Sequence, residues 1–380
     1  MAARRGHPVA AARRVAPPPD VGLTMPHNCR SPGLTAGKRH DEIHPDFSAA
    51  LTQKVQFLSN PASHPQRPDK IETRETHMSW VFIADDWVLK LKKPVSRSHL
   101  DFSTVEARKF FCEEELRLNR RLARETYRAV KPLYCDDGGT LTFEKTAHVI
   151  DWLVEMRRLP ADEMLDARIA ANRVSPAEMA RITDRLARFY IGCPPEIADG
   201  SAYIWHLLEE HEINRELLVR SEFELSGVAA LLDGVGVGLG EMRGAIESRI
   251  ARGRIVEGHG DLRPEHVCLV SPPQIIDCLE FNRSMRIIDP YDEIGYLALE
   301  CEVLGADWIR PLLLSALERE LGDRPDDRLL ALYGGFRALL RARLCLAHLL
   351  ENPVREPKKW RPLALAYLTQ ARRHLSVIVA

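Results

Sequence analysis

Ile255-Val256-Glu257-Gly258-His259-Gly260-Asp261-Leu262-Arg263-Pro264-Glu265-His266-Val267-Cys268-Leu269, followed by Pro273-Gln274-Ile275-Ile276-Asp277-Cys278, decides how this chain is read. Two acids, Asp261 and Asp277, stand at the ends of a short hairpin-like segment, and each is reached through an apolar strand. A carboxylate this close to buried strands is costly unless it is hydrogen-bonded, paired or metal-bound. Phosphoryl transfer uses such a pair, one Asp orienting an attacking hydroxyl and the other holding a metal on the nucleotide phosphates. The plainer reading of His-Gly-Asp is a turn whose Asp caps the next segment.

The spelling resembles the catalytic loop of the aminoglycoside phosphotransferase and choline kinase branch of the protein-kinase-like fold. There His-Gly-Asp-x-x-x-x-Asn precedes a hydrophobic strand ending in Asp. His259, Gly260 and Asp261 match, and Asp277 falls where the metal-binding Asp of the family stands. The fifth residue after Asp261 is His266, where the family pattern has an Asn that gives an oxygen to a metal. The resemblance extends through Glu72-Thr73-x-x-Thr76-His77-x-Ser79-Trp80-Val81-Phe82, Lys92-Lys93-Pro94, Asp101-Phe102-Ser103-Thr104 and the run from Cys112 to Leu122. Together these stretches look like a bacterial subgroup of aminoglycoside-phosphotransferase-like proteins, over roughly residues 50 to 350. That subgroup spells His at position 266. Its members often carry a second, P-loop kinase domain; this chain has no Gly-x-x-x-x-Gly-Lys-Ser/Thr, so such a kinase is expected only as a separate partner.

Periodicity supplies the framework around the motif. His77 to Ile83 and Trp87 to Leu91 read as strands joined by the tight turn Ala84-Asp85-Asp86. Ser103-Thr104-Val105-Glu106 has capping-box spacing and opens a helix to about Arg124. Val130 to Tyr134 and Thr140 to Glu144 flank a turn signal, and Val149 to Met156 is a further apolar strand. Beyond Pro160 the chain is expected to be mostly helical, with a second capping box at Ser175-Pro176-Ala177-Glu178. The alternating glycines 234, 236, 238 and 240 read as a flexible connector.

The chain has 380 residues, 45% hydrophobic and 28% charged, as in an ordinary water-exposed globular protein. Its net charge of -1 provides no global attraction to nucleic acid or to a membrane. No apolar run approaches the roughly 20 residues of a membrane-spanning helix. Eight scattered cysteines, without a Cys-x-x-Cys pair, point to a reducing, cytoplasmic setting. The Ala-, Arg- and Pro-rich start is expected to be a disordered tail over 1–45, and Met25 is an alternative start.

Site residues can be chosen by spacing. Lys90 shares a strand face with Val88 and Lys92, opposite Leu89 and Leu91. A kinase needs a lysine here to pin phosphates; a solvated edge-strand lysine is the plainer alternative. Among Glu113, Glu114 and Glu115, Glu115 lies on the apolar stripe with Phe111, Leu118 and Leu122 and therefore needs a buried partner, for which Lys90 is the natural candidate. Ser79 is assigned to a glycine-free phosphate loop, and Glu155 and Met156 to adenine recognition at the crossing between lobes. Asp277 is the best metal ligand. His266 either joins it, hydrogen-bonds Asp261, or favours Mn²⁺ over Mg²⁺. Asp292 is expected to cap a helix and brace the catalytic loop. Arg337, Arg341 and Arg343 either bind an anionic substrate or form salt bridges.

The expectation is an α+β, two-lobed protein-kinase-like fold: a small β-rich N-lobe over 46–157 that binds nucleotide, and a large mostly helical C-lobe over 158–380. The resemblance implies ATP and Mg²⁺ as cofactors and a hydroxyl of a small molecule as acceptor. Two alternatives stay open: a non-catalytic nucleotide-binding regulator, and nucleotidyl transfer on the same scaffold.

Overall fold

The computed structural model describes residues 45–97, 100–196, 200–351 and 353–379; the expected tail up to residue 44 lies outside them. Helix α1 (Pro45–Ser59) precedes strands β1 (Glu72–Glu75), β2 (Ser79–Ile83) and β3 (Trp87–Lys92), with the small hairpin β4 (Ser96–Arg97) and β5 (Leu100–Asp101) after them. The β2–β3 register sets Val81 opposite Lys90 and Ser79 opposite Lys92. Strand alternation then sorts the side chains. Trp80, Phe82, Leu89 and Leu91 face α1 and bury Leu58, Val55 and Leu51. Ser79, Val81, Lys90 and Lys92 fall on the other face.

That second face is covered by α2 (Val105–Ala123). Strands β6 (Tyr127–Cys135), β7 (Leu141–Thr142) and β8 (His148–Arg157) complete an antiparallel sheet of order β1-β2-β3-β8-β6-β7. Cys112 and Ala123 from α2 meet Tyr127 and Val154 in a small core between helix and sheet. The cap of α2 is Thr104, whose hydroxyl accepts from Ala107 N at 3.0 Å. The anticipated Ser103–Glu106 box does not form, because Ser103 is engaged one step earlier, its N–H donating to Asp101 Oδ1.

The large lobe begins with α3 (Leu165–Ala170), α4 (Pro176–Gly192), α5 (Gly200–Leu218), α6 (Val228–Glu241) and α7 (Arg243–Ala251). Ser175 and Glu178 form the expected reciprocal capping box on α4. The glycine-alternating stretch is helix α6, not a connector. Each Gly costs a helix about 1 kcal/mol relative to Ala. Burial of Val228, Leu231, Leu232, Val235 and Leu239, at about 1.5–3 kcal/mol for each fully buried side chain, outweighs that cost. A Cβ on Gly238 would stand 2.9 Å from Leu332 Cδ1, so the glycine lets two helices approach closely.

Four two-stranded elements' worth of short ladder then carry the motif: β9 (Val256–Glu257), β10 (Val267–Cys268), β11 (Gln274–Ile275) and β12 (Ile287–Ile288), with β9 paired to β12 and β10 to β11. Helices α8 (Pro290–Val303), α9 (Ile309–Leu321), α10 (Asp327–Ala347) and α11 (Pro357–Val379) close the chain. Helix α8 is buried over almost its whole length and lies beneath the catalytic hairpin. Its N-cap is Asp289, which accepts from Tyr291 N at 2.9 Å, rather than Asp292. The architecture is the two-lobed, kinase-like α+β fold anticipated above. Among the described residues no helix is long and apolar enough to cross a membrane, and the seven described cysteines are free thiols.

Candidate active site

Two lysines and three carboxylates converge where the sheet meets α2 and the end of the catalytic hairpin. Lys90 Nζ lies 2.9 Å from Glu115 Oε1 and 2.9 Å from Asp277 Oδ1. Lys92 Nζ lies 2.6 Å from Glu115 Oε2 and also pairs with Glu280. Glu115 is fully buried, so its charge exists there only because both lysines face it. Its Oε1 makes an ion pair with Lys90 but no hydrogen bond, whereas Lys90 donates to Asp277. Burial works against the charge on Lys90, yet the Asp277 and Glu115 carboxylates raise its pKa well above the ordinary lysine value. Burial likewise opposes ionisation of Glu115, and the two lysines carry its pKa below the usual range. Glu113 is solvated and Glu114 pairs with Arg117, so the helical stripe selects the right acid of the three.

The catalytic loop is shaped by close approaches. A Cβ on Gly258 would stand 2.4 Å from Glu293 Oε2, and Gly260 has φ +89° with Arg286 Cγ 2.9 Å from where its Cβ would be. Only glycine meets both demands. His259 is buried, its Nε2 paired with Ile276 O at 2.9 Å, and burial lowers its pKa to about 3. It is therefore a neutral structural strut that ties the loop to the strand before Asp277. Asp261 is held by the Arg263 guanidinium, with Nη2 donating to Oδ2 at 3.0 Å and Nε 3.0 Å from Oδ1. Tyr296 OH adds a weaker contact to Oδ1 at 3.4 Å. Burial would raise the Asp261 pKa, but Arg263 brings it below the usual carboxylate range.

His266 sits between the two acids. Its Nδ1 is 2.7 Å from the backbone oxygen of Asp261, and its Nε2 is 3.6 Å from Asp277 Oδ2 and 3.3 Å from Arg263 Nη2. Asp277 adopts φ +61°, a left-handed conformation that Asp tolerates better than most residues and that aims its carboxylate at Lys90. Its side chain is 46% exposed to the cleft, so water screens its pairs more than it screens Glu115. Desolvation opposes its ionisation; Lys90 and His266 overcome this and hold its pKa far below the usual range. Lys90 takes Oδ1, which leaves Oδ2 toward His266. A single carboxylate oxygen completed by water and substrate phosphates is a donor set that suits Mg²⁺, which retains several waters and takes few protein ligands.

Three assigned nucleotide contacts need correction. Ser79 is buried behind the β1–β2 turn rather than displayed on it; the turn is closed by Thr76, whose hydroxyl donates to Ser79 O and accepts from Ser79 N. Thr76 and His77 are the exposed members. The Glu155 side chain points to the opposite face of the sheet and pairs with Lys131 at 2.8 Å. Met156 lies on the site face beside Val154, but β8 runs on to Arg157, with β3 on one side and β6 on the other. The backbone groups of Glu155 and Met156 therefore belong to the ladder, and the crossing starts at Leu159-Pro160.

The arginines of α10 are committed to acids: Arg337 to Asp292 at 2.6 Å, Arg341 to Glu300 at 2.8 Å and Arg343 to Glu210 at 2.8 Å. Sequence reasoning missed Glu293, which accepts from His259 N at 2.9 Å, from Gly260 N, and from Tyr190 OH at 2.6 Å. It does the bracing expected of Asp292. Its signal was available, since it stands four residues after the cap Asp289 on the same helix face. Asn119 was also missed: it lies four residues after Glu115 and accepts from Cys278 N at 2.9 Å. Arg121 Nη1 and Nη2 donate to Glu257 O and Gly258 O, so α2 grips both ends of the motif.

No family model matches the chain. An uncharacterized protein of Mycobacterium tuberculosis and one of Mycobacterium bovis are each 30% identical over 322 residues. The match covers 82% of this chain, which spans 61% of the length of these curated relatives. A choline/ethanolamine kinase family protein from Mesorhizobium loti superposes with a TM-score of 0.49 at 15% identity, covering 86% of this chain and 99% of that one. A thermostable mutant of an aminoglycoside phosphotransferase, solved as a ternary complex with AMP-PNP and hygromycin B, gives 0.47 at 13% identity, covering 84% and 98%.

Proposed function

We propose that this chain belongs to the aminoglycoside phosphotransferase and choline kinase-like family and transfers the γ-phosphoryl group of ATP to a hydroxyl of a small molecule, in the cytoplasm. The observation that carries the reading is the convergence of Lys90, Glu115 and Asp277, drawn from a strand, a helix and the catalytic hairpin, beside the loop that presents Asp261. Such transfer is almost wholly a matter of positioning and charge. Lys90 holds phosphate oxygens, and Glu115 with Lys92 fixes where Lys90 stands. Asp277, with His266 behind it, would hold Mg²⁺, which neutralises charge on the transferred group when bound. Asp261, kept ionised by Arg263, orients the acceptor hydroxyl and draws its proton as the new bond to phosphorus forms. The relatives extend well beyond the length matched here, which leaves room for a separate P-loop kinase acting with this chain.

A second reading has one observation in its favour. The Arg263 fork covers both oxygens of Asp261, as it would in a nucleotide-binding regulator that performs no transfer. Incubating pure protein with γ-labelled or α-labelled ATP and a metabolite pool separates the readings. Label transferred from the γ position, and lost in Asp261→Asn, supports phosphotransfer. Label from the α position supports nucleotidyl transfer. Binding of ATP with neither label moved, and no effect of Asp261→Asn, overturns both in favour of the regulator.

A further inference from the structure

A second cluster of metal-ligating side chains lies away from the Asp261–Asp277 site. His77 is on the turn between β1 and β2, in the small lobe. His348 and Glu351 follow the end of α10, in the large lobe, where a 3-10 turn puts residues three apart on one side. Glu351 Oε1 is 2.8 Å from His77 Nε2 and 2.8 Å from His348 Nδ1. One ligand atom from each of the three lies within 4.8 Å of the others. The His77 and His348 rings are 5.1 Å apart, and His348 stacks on Trp360 at 3.9 Å, which fixes its orientation.

We propose that His77, His348 and Glu351 bind a zinc-type transition-metal ion that clamps the β1–β2 turn to the α10–α11 corner. Two imidazoles and one carboxylate form a recurrent zinc set, with metal–ligand distances of about 2.0–2.2 Å and a fourth position open to water. Tetrahedral ligation at those distances separates ligand atoms by roughly 3.3 Å, so each nitrogen needs to move by only about 0.5 Å from its present contact with Oε1. Nitrogen donors exclude Mg²⁺ as the preferred ion. The nearby cations do not oppose the charge: Lys93 pairs with Glu75 and Arg355 lies 3.5 Å from the same carboxylate. Packing also favours a specific site, because stacking on Trp360 has already restricted the His348 ring.

The clamp has a mechanical consequence. The β1–β2 turn is anchored to its own lobe by Lys93, which donates to Thr76 O, and by Thr76 closing on Ser79. Metal bridging adds a cross-lobe anchor at its tip. The site does not depend on phosphoryl transfer; it depends on three side chains alone.

The test is zinc binding by the full chain after chelator treatment, with excess Mg²⁺ present throughout. Bound zinc is read by equilibrium dialysis and elemental analysis, and turn protection by hydrogen exchange at residues 76–79. One zinc per chain is expected, with slower exchange at the turn when it is bound. Outer-shell partners of a metal already cost about 10–100-fold in affinity when removed. Losing a direct ligand in His77→Ala or His348→Ala is therefore expected to cost at least about 100-fold. Asp277→Asn, which alters the cleft, should leave zinc affinity unchanged. Equal zinc affinity in wild type, His77→Ala and His348→Ala, or loss of the zinc in Asp277→Asn instead, overturns the proposal. His77 is exposed on a turn, so a well-folded His77→Ala variant is available to decide.

Discussion

Replacing Glu115 with Gln keeps the shape of the side chain and removes the charge that two buried lysines share. At an effective dielectric of 20, each contact at 2.6 or 2.9 Å has a gross attraction of about 6 kcal/mol. Desolvation of the three charges offsets most of it. What the substitution leaves is two buried ammonium groups, one still paired with Glu280 and the other with the half-exposed Asp277. Breaking a buried pair in this way costs about 3–5 kcal/mol. Dividing by a urea m-value near 3 kcal/mol per molar gives a fall in the unfolding midpoint of about 1 M or somewhat more. The solvated neighbour Glu113 supplies the internal control, since Glu113→Gln is expected to change stability by less than about 0.5 kcal/mol. Urea unfolding followed by fluorescence measures both, and nucleotide binding provides a second axis. With Glu115 neutral, Lys90 is held by Asp277 alone, and a lost charge-assisted hydrogen bond corresponds to about a tenfold loss of ATP affinity or more. If Glu115→Gln unfolds within 0.2 M of wild type (about 0.6 kcal/mol at the same m-value), the buried triad is not what holds α2 against β3.

Asp261→Asn should reduce transfer by about 10²–10⁴-fold while leaving ATP binding intact, as loss of a hydroxyl-orienting base does; equal turnover in the variant rejects that role. His266→Asn, assayed across Mg²⁺ and Mn²⁺ concentrations, should shift their relative effectiveness if the ring nitrogen serves the metal, and an unchanged profile removes His266 from the metal site. His259 gives a pH signature. Its folded pKa of about 3 lies below the unfolded 6.5, so the unfolded state binds the extra proton between those values and stability falls as pH drops from 6.5. Integrated between pH 6.5 and 5, that is roughly 1.5–2 kcal/mol, and the slope should flatten in His259→Gln. In α6, Gly240→Ala meets no atom within 4 Å and should stabilise by up to about 1 kcal/mol, whereas Gly238→Ala, 2.9 Å from Leu332 Cδ1, should cost about 1–3 kcal/mol; equal effects at both positions contradict a packed helix.

Legibility in the sequence followed the strength of local periodicity. Strand alternation put Lys90 and Lys92 on one face, and helical spacing singled out Glu115, because both rules act on side chains fixed to regular elements. The Ser175–Glu178 box was readable for the same reason. Where tertiary packing overrules propensity, the reading failed. Helix α6 hides behind four glycines whose absent side chains are what α10 and α11 need. Glu155 and Met156 were placed at the crossing because the end of β8 has no local mark; only pairing with β3 and β6 extends the strand to Arg157. Asp289 and Asp292 lie on either side of Pro290 and compete for one cap, and the pattern alone does not decide between them. Glu293 was invisible as a loop brace because its partners are backbone N–H groups more than thirty residues away.

The charge arithmetic of the site explains why His266 is compatible with a metal-assisted reaction. Lys90 and Lys92 face Glu115, Asp277 and Glu280, two cations against three anions, so this cluster carries a formal charge of -1. Asp261 and Arg263 cancel locally. An Asn at 266 would add a neutral oxygen; a neutral His adds a neutral nitrogen and leaves the same balance. The uncompensated negative charge is concentrated on Asp277, the one acid of the three that is substantially exposed. Attraction for a divalent cation therefore depends on the aspartate and not on residue 266. His266 is tied through Nδ1 to the Asp261 backbone, so its Nε2 is held at a fixed reach from Asp277 Oδ2. The residue that departs from the family pattern thus performs a positioning task that Asn, shorter by a ring, does in another way: it keeps the loop of Asp261 and the strand of Asp277 at a set distance.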